Sequence, residues 1–373
     1  MTKLTTAYIG LGGNLGDRQD HIRNALKMLA ENKHIDVARV SDVVETVALA
    51  QTNQPKYLNA VAEIKTTLSA EYLYKTLADI ETGLGRVRNG KWSPRTIDLD
   101  LLLFGREVMS TPDLTVPHRQ MHLRSFVLKG LCQLNGDLLH PVLKESVNEL
   151  ANRLSGLDFA PDPNLPQLVS VAGIIGVGKT TLTKKLSSSL GCKILLEPYD
   201  TNPFMPDVYA GKTELALESQ LYFLTSRVGQ LNHNTLAPRQ IAVSDYIFDK
   251  ELIYARRLLD ARQLALYEEI YPPFAAKVAA PVLVIYMQDS PQECLERIHR
   301  RNRPYEQEIE LQFLEALDCD YHHLFADWKT CPVIRISMSQ FDCTQDADIE
   351  HLANQIRYYV AGPAVIASAS EAI

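Results

Sequence analysis

Residues 168–190 read LVSVAGIIGVGKTTLTKKLSSSL, an apolar strand-like run, then Gly173, Gly178, Lys179 and Thr180 in the spacing G-x-x-x-x-G-K-T, then a helical pattern. Strand, Gly-rich turn and helix in that order are the context in which this spacing binds a nucleotide tail. The glycines let backbone N–H groups wrap phosphates at a helix N-terminus, Lys179 reaches the outer phosphates, and Thr180 ligates one Mg²⁺. Gly176 and Thr181, in the same run, join the expected ATP contacts.

Working outward from this turn, the apolar stretches KILLEP (193–198), IAVSD (241–245), VLVIYM (282–287) and VIRIS (333–337) recur with long helical patterns between them. That alternation predicts a parallel sheet with crossover helices, an α/β P-loop NTPase domain over 168–360. The turn alone implies nucleotide binding and leaves the acceptor open. Glu197 closes KILLEP, where strand ends deliver catalytic groups, and can take a proton from an attacking hydroxyl; a solvated strand-end charge is the plainer alternative. LERIHRRNRPYEQEIE (295–310) strings Arg297, Arg300, Arg301 and Arg303 along a helix and its end, either a cationic lid for a transferring phosphate or ordinary surface charge.

Upstream, SGLDFAPDPNLPQ (155–167) carries three prolines and no periodicity, so residues 156–167 are expected to be a linker; AGPAVIASASEAI (361–373) is expected to be a disordered tail. Residues 1–155 mix short strands such as YLNAVAEI with helical patterns. Ile22, Ala25, Leu26 and Leu29 share a face over His21–Glu31, and Leu73, Leu77 and Ile80 do so over Ala70–Glu81. This half reads as a compact α+β domain.

In PRTIDLDLLLFG (94–105), Asp98 and Asp100 leave one face of a strand about 7 Å apart at their Cα atoms, while Ile97, Leu99 and Leu101 leave the other. Aspartate is disfavoured in strands, and unpaired charges beside a core are costly. Two hard carboxylates at this spacing can bridge Mg²⁺, whose remaining positions go to water and phosphate oxygens; a half-exposed strand with a polar face is the alternative. The loop GRVRNGKWSPR (85–95) and the segment VPHRQMHLRSF (116–126) bring Arg86, Arg88, Lys91, Arg95, His118 and Arg124 close in sequence, a cluster suited to gripping a polyphosphate.

The whole chain has 373 residues, 46% hydrophobic and 22% charged, with a formal net charge of -7. That length favours two or three domains, and the acidic balance argues against a general nucleic-acid or anionic-membrane binder. The six cysteines, Cys132, Cys192, Cys294, Cys319, Cys331 and Cys343, form no Cys-x-x-Cys pair and read as reduced thiols. With neither a signal peptide nor an apolar run long enough to span a bilayer, the expected location is cytoplasmic.

Residues 1 to about 155 resemble 6-hydroxymethyl-7,8-dihydropterin pyrophosphokinase through AYIGLGGNLGDR, the Glu-Thr of VVETVALA, QPKYLNAV, IETGLGRVR, WSPRTIDLDLLLFG and LTVPHRQMHLRSFVL, in order. The resemblance implies a ferredoxin-like fold, two Mg²⁺ ions, and transfer of the β,γ-pyrophosphoryl group of ATP to the hydroxymethyl oxygen with release of AMP. It also implies that Asp98 and Asp100 ligate both metals and that Arg86, Arg95, His118 and Arg124 hold the triphosphate. Arg88 and Trp92 would close over it, and Glu81 would lie beside the ATP site. Tyr57 and Phe126 would sandwich the pterin while Thr46 and Asn59 read its edge. Val47 and Arg119 depart from the family pattern, and the loop between Arg88 and Trp92 is one residue short.

Residues 168 to about 360 resemble the deoxynucleoside kinases through NPFMPDVY, LALESQLYFLTSR and RIHRRNRPYEQEI. This implies Glu197 as base, Gln220 on the nucleobase, Tyr209 and Glu306 on the sugar 3′-hydroxyl, and a homodimer through this half. In SDYIFDKELIYA (244–255) the family's strand-end arginine has no counterpart, and the roles of Asp245, Asp249 and Glu251 stay open. The missing arginine implies an altered acceptor, weak activity or compensation from the lid; a nucleoside monophosphate as acceptor and a nucleotide-sensing module without kinase activity are the alternatives to 5′-phosphorylation of a deoxynucleoside.

Overall fold

The computed structural model describes residues 4–48, 54–87, 93–303 and 306–361, and these form two compact units, one up to Ala160 and one from Pro161 to Val360. In the first unit β1 (Thr5–Gly13), α1 (Arg18–Glu31), β2 (Ile35–Val40), β3 (Val44–Thr46), β4 (Tyr57–Thr66), α2 (Ala70–Gly83) and β5 (Asp98–Phe104) follow in order. The short pair β6 (Met109–Ser110) and β7 (Thr115–Val116) and helices α3 (Ser125–Asn135) and α4 (Val147–Leu154) complete it. The main sheet is antiparallel in the order β2-β4-β1-β5, with β3 also on β4.

Both long helices start on a side-chain cap. The Asp17 carboxylate accepts the Asp20 N–H and the Ser69 hydroxyl accepts the Tyr72 N–H, each meeting one of the N–H groups a helix start leaves unpaired. Helix α1 begins three residues before the sequence pattern does, because that cap lies outside the apolar stripe. Ile22, Ala25 and Leu29 of α1 and Leu73, Leu77 and Ile80 of α2 pack on Ile9 and Leu11 of β1, Ala62 and Ile64 of β4, and Leu99 and Leu101 of β5. Burial of this set is the main stabilising term for the unit, at roughly 1.5–3 kcal/mol per large apolar side chain. The apolar face thus belongs to α1 and α2, and the opposite face of β1 and β5 is left for polar groups.

The second unit runs β8 (Gln167–Ala172), α5 (Lys179–Leu190), β9 (Lys193–Leu195), α6 (Met205–Tyr209), α7 (Ala216–Leu231), β10 (Ile241–Ser244), α8 (Lys250–Leu258) and α9 (Ala261–Ala275). It continues with β11 (Leu283–Gln288), α10 (Pro291–Arg301), α11 (Leu311–Ala326), β12 (Val333–Ser337) and α12 (Asp346–Ala361). Its sheet is parallel, in the order β12-β11-β8-β10-β9. β8 is central and buried throughout, so the turn that follows it opens in the crevice at the C-terminal ends of the strands, where such sheets bind ligands.

Within the stretch read as a linker, the Asp158 carboxylate accepts both N–H and O–H of Ser125, and the Leu165 carbonyl accepts the Arg239 N–H, so each end is tied to the unit it adjoins. Of the stretch read as a disordered tail, Ala361 is the last residue of α12 and 362–373 lie outside the described residues.

Candidate active sites

In the first unit the register decides the site. Asp98 pairs across the sheet with Gly12, and Gly12 in turn with Asn59; Asp100 pairs with Gly10, and Gly10 with Val61. Directly opposed residues share a face, so both aspartates, Asn59 and, two residues along β4, Tyr57 all stand on the face away from α1 and α2. Gly12 leaves room for the Asn59 side chain, which a Cβ there would strike. Asn59 donates to the Thr46 hydroxyl at 2.8 Å, and Thr46 is the β3 partner of Tyr57. The expected pterin-edge pair is therefore assembled. Phe126 is half-buried in the first turn of α3, the helix that lays Gly130 against Val61 on this same face.

Asp98 is not unpaired, as the sequence suggested. Its carboxylate sits between Arg86, at 2.6 Å, and Arg95, at 2.5 Å. Arg86 also pairs with Glu81, which lies 4% exposed beneath the strand and accepts the Leu99 N–H at 2.7 Å. Burial raises Asp98, the neighbouring Asp100 charge adds to it, and together they outweigh Arg95 and Arg86 and push it to about 7. Asp100 is more open, 47% exposed, with His118 Nε2 4.0 Å away. This donor set fits a hard divalent ion. Among the described residues no group of three or more His, Cys, Asp or Glu side chains could hold a metal by itself, so water and phosphate oxygens would supply the other ligands, as Mg²⁺ prefers.

Arg124 caps α3, donates to the Gln120 side chain at 2.6 Å, and is near enough to Asp100 to feel its charge; burial lowers its pKa while Asp158 and Asp100 oppose. Arg88 and Trp92 lie outside the described residues. Asn14 lies in the AYIGLGGNLGDR stretch, where local pattern assigns it no role. It is 2% exposed and clamps the loop before β5: its side-chain oxygen accepts the Arg95 N–H at 2.8 Å, and its own N–H donates to the Arg95 carbonyl at 2.9 Å. Gly13 permits this approach, because a Cβ there would strike the Thr96 carbonyl. Asn14 thereby positions Arg95 on Asp98.

In the second unit Gly173 follows β8 and Gly178 precedes α5. Gly176 has φ +85°, a left-handed conformation that side-chain-bearing residues rarely adopt, and a Cβ there would strike the Cys294 carbonyl. Lys179 Nζ donates to the carbonyls of Gly173 and Ile174, each at 2.8 Å, spanning the loop it serves. Burial and then the charge of Lys250 lower Lys179 to about 8. Thr180 donates to Asp245 at 2.6 Å, and the other oxygen of Asp245 accepts the Glu197 N–H at 2.8 Å, joining the first turn of α5 to the chain just beyond β9 and β10.

Glu197 faces the same pocket as the loop, with Thr181, Tyr199, Gln220, Arg301, Arg303 and Glu306. Its oxygens are occupied by Arg227, whose Nε lies at 2.9 Å, and by Lys250 at 2.6 Å. Burial raises Glu197, but Arg227 and Lys250 outweigh it and hold it at about 2. It is ionised at neutral pH, able to receive a proton, and oriented by two cations. Arg227 continues to Glu251, which also accepts the Tyr267 hydroxyl at 2.5 Å, and its guanidinium lies 4.7 Å from the centre of the Phe223 ring. The cations beside Glu197 thus come from α7 and α8; the lid does not supply them. Arg227 follows Gln220 by seven residues, two helical turns, which was the available signal.

The lid divides. Arg301 and Arg303 line the pocket and both hold Glu306, at 2.5 and 3.3 Å, and Arg303 also stacks on Tyr199. Arg297 instead pairs with Asp289 and donates to the Gly176 carbonyl at 3.4 Å, bracing the phosphate loop from outside the pocket. Gln220 is 4% exposed and its side-chain oxygen has no hydrogen-bond partner, leaving a buried acceptor open to the pocket. Asp249 is half-buried, its carboxyl is raised by desolvation, and it does not line the pocket. Tyr209 falls in α6, but its side chain lies outside the described residues.

Fold and sites together define a two-domain phosphotransferase: an antiparallel α+β domain with a carboxylate pair beside guanidinium groups, then a P-loop domain with a half-buried carboxylate facing its phosphate cradle. The chain belongs to two families, its residues 8–136 matching 7,8-dihydro-6-hydroxymethylpterin-pyrophosphokinase and its residues 169–361 matching deoxynucleoside kinase. It is 43% identical over 128 residues to 2-amino-4-hydroxy-6-hydroxymethyldihydropteridine pyrophosphokinase of Bacillus subtilis, covering 34% of this chain and 77% of that one. The enzyme of the same name from Haemophilus influenzae is 38% identical over 152 residues, covering 40% and 95%. Among solved structures, deoxyadenosine kinase from M. mycoides with bound dATP matches with a TM-score of 0.44 and 23% identity, covering 51% of this chain and 99% of that one. Among the described residues no helix is long and apolar enough to cross a membrane.

Proposed function

We propose that the chain catalyses two ATP-dependent transfers. The first domain moves the β,γ-pyrophosphoryl group of ATP to the hydroxymethyl oxygen of 6-hydroxymethyl-7,8-dihydropterin: the new O–P bond forms at the β-phosphorus, the α,β bridge breaks, and AMP leaves. The second domain phosphorylates the 5′-hydroxyl of a deoxynucleoside and releases ADP.

The observation that carries the first reading is the row Asn59–Gly12–Asp98 across the sheet, which sets a hydrogen-bonding edge for a flat ring beside a charged pair for a polyphosphate. Asp98 and Asp100 would hold two Mg²⁺ ions, and bound Mg²⁺ would neutralise the charge developing on the transferred phosphates. Arg86, Arg95, His118 and Arg124 would hold phosphate oxygens, and Tyr57 and Phe126 the pterin faces. Positioning is the main work of such a site, because phosphoryl transfer asks little covalent chemistry of the protein.

For the second reading the carrying observation is Glu197, held by Arg227 and Lys250, in the pocket that Lys179 and Thr180 share. Glu197 would take the 5′-hydroxyl proton as the oxygen attacks the γ-phosphorus. Gln220 offers its bare oxygen to a donor on the base, and Glu306 and Tyr209 would hold the sugar. Thr180 would carry the single Mg²⁺ of this domain, and a dimer through it is consistent with the family.

The test supplies the full chain with ATP and each of the four natural deoxynucleosides, then with their monophosphates, and follows ADP. Stimulation by a deoxynucleoside supports the reading. Stimulation only by a monophosphate moves the acceptor one step along, and none at all favours a nucleotide-sensing domain.

A further inference from the structure

Glu197 holds two cations that differ in freedom. Arg227 is fixed: it is 3% exposed, bridges Glu197 to Glu251, and lies between the Phe223 and Tyr246 rings. Lys250 has a long flexible arm, and Glu197 is its charged hydrogen-bond partner, the Tyr254 ring standing 5.2 Å from its ammonium. It lines the same pocket as the phosphate loop and Lys179. Lys250 is also the first residue of α8, where a positive charge meets the unfavourable end of the helix dipole, and it is 4% exposed. Neither fact recommends it as a stabilising ion pair.

The chemistry assigned above to Glu197 removes the partner of Lys250. When the carboxylate accepts the 5′-hydroxyl proton it becomes neutral, and the buried ammonium loses its hydrogen-bonded counter-charge, with Asp245 the remaining carboxylate whose charge reaches it. At the same moment the 5′-oxygen bonds to the γ-phosphorus, the bridge to the β-phosphate breaks, and its electron pair leaves with ADP. Negative charge then lies on the phosphoryl oxygens, between Glu197 and Lys179. We propose that Lys250 transfers from Glu197 to the transferring phosphoryl group and is the catalytic cation of the second domain, in the place of the strand-end arginine that this sequence lacks. Lys250 gives up no atom; it exchanges one anionic partner for another.

This inference rests on the second domain being a deoxynucleoside kinase, and the experiment separates the two. In the full chain Lys250 is replaced by Gln, which keeps a hydrogen-bond donor toward Glu197 without charge, and by Arg, which keeps the charge. ADP formation is measured with saturating ATP and whichever of the four deoxynucleosides the parent chain uses. Lys250→Gln should lower kcat by at least about a hundredfold, the usual effect of losing one donor to developing charge, while the KM values for ATP and deoxynucleoside stay within about threefold. Lys250→Arg should recover at least about tenfold of that loss, and AMP formation from the pterin, run on the same samples, should match the parent in both. Near-parental kcat in Lys250→Gln, a loss confined to KM, or no recovery with Arg would each overturn the assignment to Lys250 and leave the kinase reading intact. No ADP from the parent chain with any of the four would overturn both.

Discussion

Replacing Arg227 by Met keeps the reach of the side chain and removes the charge that joins α7 to β9 and α8. Two carboxylates lose a partner. Glu197 keeps Lys250, but Glu251, with 0% side-chain exposure, is left with the Tyr267 hydroxyl alone among the contacts the Arg227 network supplies. Removing one member of a buried ion pair costs about 3–5 kcal/mol, chiefly through the charge left behind. In a unit of this size each kcal/mol moves the midpoint by roughly 2–4 °C, so the unfolding temperature of the second domain should fall by about 6–20 °C. Trp328, buried in that domain, reports the transition if Trp92 of the first is changed to Phe. The companion variant Arg227→Met/Glu251→Gln removes the stranded charge and should regain at least about half of the loss. If the single variant unfolds within about 2 °C of the parent, or the double variant is less stable than the single, the buried charge is not what Arg227 serves and the reasoning fails.

Asp98→Asn should lower AMP formation by at least about a hundredfold while thermal unfolding changes little, because Arg86 retains Glu81; near-parental turnover would refute the metal role. Gly176→Ala should weaken ATP binding at the second site and leave AMP formation untouched, since its Cβ has no room beside the Cys294 carbonyl; equilibrium binding of an ATP analogue to the two variants' parent and to Gly176→Ala gives the comparison. Burial, aided by Arg153 and Lys144, depresses His140 to about 3, so the first domain gains nothing from this group above pH 6.5, where folded and unfolded chains are both neutral. Below that the unfolded chain binds a proton the native one refuses, and at pH 5 the loss is about 2 kcal/mol. His140→Asn keeps an acceptor for the Val142 and Leu143 N–H groups and should remove that part of the slope in denaturant titrations at pH 7 and pH 5; an unchanged slope would contradict it.

Local pattern made legible what local pattern determines. The stripes of α1 and α2, the alternation that turns Asp98 and Asp100 to one face, and the strand–turn–helix around Lys179 need only neighbours in sequence, and those elements and both fold classes stand in the structure. What stayed hidden depends on partners far along the chain. The sequence showed Asp98 as a charge in want of a cation, but not that Arg86, twelve residues upstream, joins the nearby Arg95 in occupying it. It gave Asn14 no duty, since its partner Arg95 is 81 residues on. It left the compensating cation of the second domain open, with the lid one of the alternatives, because the phosphate-facing edge of a parallel sheet gathers groups from several crossovers. There α7 and α8 deliver Arg227 and Lys250 to Glu197, while Arg297 of the lid helix turns to Asp289.

The central claim is that one chain carries two separate phosphotransfer sites, distinguished by the bond of ATP each breaks. The direct measurement is the nucleotide product formed by the full-length protein and by Lys179→Ala, with pterin or deoxynucleoside supplied singly. The account predicts AMP with the pterin and ADP with the deoxynucleoside in the parent, and in Lys179→Ala the AMP alone. An AMP yield that vanishes with Lys179, or a pterin that stimulates ADP and no AMP, would contradict it.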